Sequence, residues 1–219
     1  MQPDNQRINY GVAQTTGTRN RVLRNTYALL GLSLVVSAVA AWVSLSFALP
    51  HPGLLITLGV YFGLLFAIHK FQDADFAILL VFALTGFLGY TLGPILGFYL
   101  AVNPNVVVNA FTMTAVTFIG LSAFVIMTKK DFNFLGGFLV AGILAAFAAG
   151  LIAVFFSMPG LSLAVSYAFV MLMVGLILFE TSRIVNGGET NYVLATVTLF
   201  VSIFNLFTSL MHIFGMADE

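Results

Sequence analysis

Cysteine is absent from the sequence, which excludes disulfides, thiolate nucleophiles and cysteine-held metals. Charge is scarce: Asp, Glu, Lys and Arg make up 7% of 219 residues and cancel to zero, where a soluble domain carries about a quarter. So few cations leave no electrostatic footprint for nucleic acid. No Gly-x-Ser-x-Gly elbow, His-Glu-x-x-His motif or phosphate-cradling glycine loop occurs, and no aspartate lies within an apolar run. The ingredients of nucleophilic, zinc-dependent and paired-carboxylate hydrolysis are therefore missing. The three histidines, His51, His69 and His212, fall at different depths along the apolar segments, which does not suit a shared metal. The expectation is no enzyme, no catalytic residue and no metal site.

Hydrophobic residues are abundant instead, at 60%, with a mean hydropathy of +1.06. Seven apolar segments stand near residues 27–49, 53–68, 76–100, 106–127, 132–156, 161–185 and 191–214. A hydrocarbon core about 30 Å thick takes roughly 20 helical residues to cross. Long unbroken apolar runs favour helices over barrel strands, which would alternate. The expected fold is an all-α membrane protein, a bundle of seven transmembrane helices joined by short connections. Residues 1–26 read as a flexible basic tail, 27–214 as the membrane domain and 215–219 as an acidic stub. The first apolar run outlasts a signal-peptide core, so it reads as a span that stays.

Basic residues set the orientation. Arg7, Arg19, Arg21 and Arg24 precede the first segment, Lys70 follows the second, Lys129 and Lys130 the fourth, and Arg183 ends the sixth. Across seven spans all of them fall on one side. The preference of Lys and Arg for the cytosolic side then puts the N-terminus in the cytosol and the C-terminus outside. One span more or fewer would scatter these cations over both faces.

Small residues recur every four positions: Gly89, Gly93 and Gly97 in the third segment, Gly137, Ala141, Ala145 and Ala149 in the fifth, Gly59, Gly63 and Ala67 in the second. Such stripes let helix backbones approach closely where no hydrophobic drive separates helix from lipid. Pro94 removes a backbone donor and is expected to kink the third helix.

Glu180 is the residue to explain. It follows Leu176, Ile177, Leu178 and Phe179, and a carboxylate at the edge of a hydrocarbon-length helix is costly to bury, so it is expected to face the bundle interior, a wet cavity or a partner. Arg183 is in reach three residues on, and Lys70 is a second candidate cation. In the seventh segment Thr198, Ser202, Asn205 and Ser209 share one helical face, which serves either interhelical hydrogen bonding or a lining for water or a cation.

Phe179-Glu180-Thr181-Ser182-Arg183-Ile184, with Gly188, Tyr192 and Leu199-Phe200-Val201-Ser202-Ile203-Phe204-Asn205-Leu206-Phe207, resembles the last two helices of the Bax inhibitor-1 family, also called the transmembrane Bax-inhibitor-motif family. Two stretches agree with it: Thr85 through Leu96, with Gly89-Tyr90-Thr91-Leu92-Gly93-Pro94, and Lys129-Lys130-Asp131-Phe132-Asn133-Phe134-Leu135-Gly136-Gly137. The resemblance covers nearly the whole chain after the tail. It implies a seven-helix fold with the last helix near the centre. It also implies a cytosol-facing pair of acids on helices six and seven, with a basic residue on helix two nearby, that answers pH and latches a calcium leak. Glu180 matches the first acid and Lys70 stands roughly where the basic residue is expected. The chain departs at Ser202, in the second acid's place, and a hydroxyl supplies no like-charge coupling. Glu180, Ser202, Asn205, Lys70 and Arg183 are thus the ion or gate candidates, with calcium the only ion implied. Among bacterial members the chain resembles an inner-membrane protein that associates with the membrane-anchored ATP-dependent protease FtsH and restrains it. FtsH is therefore the expected partner and a cation leak the alternative function.

Overall fold

The computed structural model describes the backbone of residues 4–217 and the side chains of residues 17 and 19–217. Every regular element in that range is helical: α1 (Asp4–Ser46), α2 (Leu54–Lys70), α3 (Ala77–Val102), α4 (Pro104–Thr128), a single 3₁₀ turn (Asn133–Leu135), α5 (Gly136–Phe155), α6 (Pro159–Asn186) and α7 (Tyr192–Ala217). Six are long and apolar enough to cross a membrane. The seventh, α2, has 17 residues, about 25 Å at 1.5 Å per residue. Lipid-facing positions carry large apolar groups, among them Trp42, Leu55, Met127 and Met171, as a hydrocarbon solvent allows.

The start of α1 departs from the expected tail. Residues 1–3 lie outside the described residues, but helix is continuous from Asp4, and Val22 and Thr26 are buried. Val22 packs with Leu30, Ile184 and Val193, so the last part of the segment assigned to the tail is anchored on the bundle. Of the expected stub, residues 215–217 complete α7, while Asp218 and Glu219 lie outside the described residues. Pro94 sits within α3, which runs without a break through Gly93-Pro94.

Helix α7 occupies the centre, packing against α1, α3, α4 and α6. Its residues enter both hydrophobic clusters. Val193, Leu199 and Phe200 join α1, α2 and α3 at one end, and Leu206, Leu210 and Met211 join α4, α5 and α6 toward the other. Helices α1 and α3 share the most extensive contact. A Cβ on Gly89 would run into the Ser37 backbone, and one on Gly93 into the Ser44 side chain. The complement on α1 is a stripe of small buried residues, Ser33, Ser37, Ala41 and Ser44. Gly97 faces Leu45.

The stripe in α5 lies elsewhere. Gly137 has open space beside it and Ala141 is exposed, while Ala145 and Ala149 border an open apolar groove against α6. The α5–α6 contact uses Gly136 against Phe179 and Gly142 against Leu172. Gly59 and Gly63 of α2 likewise face open space.

Candidate functional site

At the end of the bundle where α6 turns into α7, all of the last eleven residues of α6 are half-buried or buried. The turn forms because Gly187 takes a left-handed φ of 82°, and its neighbour Gly188 then donates N–H to the Arg183 carbonyl at 2.8 Å. This is the glycine-terminated helix end that folds orphan carbonyls back onto the chain. Arg19 of α1 lies against it, with its Nε 2.8 Å from where a Gly187 Cβ would be.

Glu180 is 1% exposed. Its Oε2 accepts from Arg183 Nη1 at 3.3 Å, and its Oε1 has no hydrogen-bond partner. Arg183 is shared: Nη2 donates to Glu189 Oε2 at 3.0 Å, and the guanidinium carbon lies 5.5 Å from the Phe179 ring centroid. Glu189 Oε1 accepts from the backbone N–H groups of Thr190 and Asn191 at 2.9 and 2.8 Å. Asn191 then caps α7, its Oδ1 accepting from the N–H groups of Val193 and Leu194 at 2.9 and 3.3 Å, which satisfies two donors every helix start leaves orphaned. One cation thus holds two carboxylates, the first inside the bundle and the second on the turn.

The same end ties down two loops. Asn191 Nδ2 donates to Asp73 Oδ1 at 3.0 Å, fixing the α2–α3 loop. Ser182 Oγ accepts from the Phe132 N–H at 3.0 Å and donates to the Lys130 carbonyl at 3.1 Å, which pins the α4–α5 loop. Tyr27 Oη lies 3.5 Å from Thr181 Oγ1, and Thr196 Oγ1 lies 3.2 Å from the Thr26 carbonyl oxygen, so α1 is hydrogen-bonded to both α6 and α7.

Of the candidates named from sequence, Glu180 and Arg183 meet. Ser202 is fully buried, but its hydroxyl donates to the Thr198 carbonyl at 2.7 Å, and Asn205 Nδ2 donates to the Val201 carbonyl at 2.9 Å. The Ser202 O–H and one N–H of Asn205 are therefore taken up within α7 itself. Lys70 is exposed, its Nζ 5.5 Å from the Phe71 ring centroid. No group of three or more metal-ligating side chains occurs among the described residues. Sequence reasoning left out Ser182, Asn191, Arg19 and also Asn186, whose Nδ2 donates to Ser182 Oγ at 3.2 Å. Ser182 and Asn186 stand four apart in the last turns of an apolar helix, a spacing that marks one polar face; Arg19 carried no local signal.

Comparison with known proteins agrees with this architecture. The family described as Inhibitor of apoptosis-promoting Bax1 matches residues 19–219. The Escherichia coli K12 protein named Modulator of FtsH protease YccA is 47% identical over 91% of this chain and 92% of its own length. Its counterpart in E. coli O6:H1, named Inner membrane protein YccA, is equally similar. A Pseudomonas aeruginosa protein is 46% identical over 99% of this chain and 98% of its own. With its apolar helices around a central α7, the chain is a multi-pass protein of the bacterial inner membrane and belongs to the Bax inhibitor-1 family.

Proposed function

We infer that the protein is a membrane-embedded regulator, with no chemistry of its own, that binds the FtsH protease and modulates it. The observation that carries this reading is the identity with a named FtsH modulator, 47% along nine-tenths of both chains. The site described above supports it. Arg183, Glu189, Asn191 and Ser182 make the end of the bundle around the α6–α7 turn a fixed surface built from three loops, and every Lys and Arg of the chain belongs to that side if seven helices cross. We place that surface, with the N-terminus, in the cytosol, where the ATP-driven part of a membrane-anchored protease works. Residues preceding the anchored part of α1 would then be the segment within reach of the protease.

Extraction of the full-length protein from native membranes in mild detergent tests the reading. FtsH is expected to co-purify, and degradation of an FtsH substrate is expected to slow when the protein is in excess. A complex that never contains FtsH, with protease activity indifferent to the protein's level, would falsify it. The cation-leak alternative has less support: Ser202 bonds its own helix, and Glu180 is paired with Arg183 rather than with a second acid.

A further inference from the structure

At the end of the bundle opposite Glu180, a cavity of about 430 Å³ opens between the last turns of α3 and α7 and the first turn of α4, bordered by Phe98, Tyr99, Val106, His212 and Gly215. That volume lies within the range of small-molecule sites. Its shape depends on glycine, because a Cβ on Gly215 would collide with the Tyr99 ring. The ring lies on bare helix backbone and forms a wall.

The polar groups here favour a cation. Ser166 Oγ donates to the Ser162 carbonyl at 3.1 Å, so towards His212 Nδ1, 2.8 Å away, it acts as acceptor. The network therefore assigns the proton to Nδ1 and leaves Nε2, a lone-pair acceptor, as what His212 offers the cavity. Helix α3 ends at Val102, bringing the negative end of its dipole to the cavity. The first N–H donors of α4 are already taken: Pro104 has no N–H, Asn105 N–H donates to Asn103 Oδ1 at 3.0 Å, and Val106 N–H donates to the Asn103 carbonyl at 3.1 Å. No Lys or Arg lies in the sequence near this end, and beyond Ala217 come Asp218 and Glu219. Phe98 and Tyr99 present aromatic rings, edge to face with centroids 5.3 Å apart, and such rings attract cations through their quadrupoles. Phe98 is 61% exposed, so the rim meets the bilayer.

We propose that this cavity binds an organic ammonium group, with His212 Nε2 accepting its N–H and the Phe98 and Tyr99 rings covering its charge. The group arrives either on an aminophospholipid or as a free amine. Native mass spectrometry of the full-length protein, with equimolar phosphatidylethanolamine and phosphatidylglycerol, tests it. Retention of the ethanolamine lipid is expected to exceed that of the glycerol lipid by about five- to tenfold. The preference should vanish in His212→Leu and in Gly215→Val, and persist in His212→Gln, which keeps an acceptor. Displacement by millimolar ethanolamine assigns the site to soluble amines. Resistance to it, with the preference intact, assigns the site to the lipid. Equal retention of both lipids with no effect of ethanolamine overturns the proposal, and so does a preference unchanged in variants that melt like the wild type. Should those variants fail to fold, the wild-type ratio and the ethanolamine competition still decide.

Discussion

Arg183 carries more of the local electrostatics than Glu180, because it is the shared partner. Replacing it with methionine strands the Glu180 carboxylate, 1% exposed and with Oε1 already unpaired, and also takes from Glu189 Oε2 its cation. Removing one partner of a buried pair costs about 3–5 kcal/mol; the Arg183 side chain is 32% exposed, so solvent relieves part of this and about 2–3 kcal/mol is expected. Glu180→Gln leaves Arg183 with Glu189 and is expected to cost about 1 kcal/mol. Thermal unfolding in mild detergent should therefore rank Arg183→Met well below Glu180→Gln, and the reverse order would mean that the carboxylate, not the cation, organises the site. Ser182→Ala leaves the Phe132 N–H without its acceptor, a loss of about 1–3 kcal/mol. Hydrogen exchange should quicken at residues 130–133 while α7 stays protected. The pairing of Glu180 with Arg183 was legible from their i,i+3 spacing. The role of Ser182 was not, because its partners at Lys130 and Phe132 are far away in sequence and a hydroxyl gives no sign of what it will meet.

At the scale of elements, identical stripes have opposite fates. Gly89 and Gly93 are sealed against α1, whereas Gly137 has open space beside it. Gly89→Ala drives a methyl into the Ser37 backbone and is expected to destabilise by about 1–3 kcal/mol, the usual range for overpacking. Gly137→Ala should be neutral or slightly stabilising, since alanine is the better helix former by roughly 1 kcal/mol. The midpoints of detergent unfolding for the two variants check this directly, and equal losses would indicate that α5 makes a contact of its own. The spacing of small residues marked all three stripes equally. Which of them faces protein depends on the partner helix, and the serine stripe on α1 that answers Gly89 and Gly93 was visible in sequence only as scattered hydroxyls.

At the scale of the whole molecule, if α2 crosses along with the six longer helices, the N-terminus and the end of α7 fall on opposite sides of the membrane, and reporter fusions at the two ends are expected to light up in different compartments. A shared compartment would remove both that arrangement and the protease-facing surface that depends on it. The sequence by itself determined the number of helices and, apart from the start of α1, their approximate ends. Each of these follows from moving single residues between water and hydrocarbon, a sum in which neighbours hardly matter. Only the tertiary structure decided that α7 is wrapped by four helices, that Val22, within the segment read as a tail, packs into the bundle, and that Ser182, Arg183 and Asn191 gather three loops at one end. Lipid tails are as apolar as leucine, so no hydrophobic face records which side of a membrane helix will be covered. That choice falls to close packing and hydrogen bonds between residues distant in the chain.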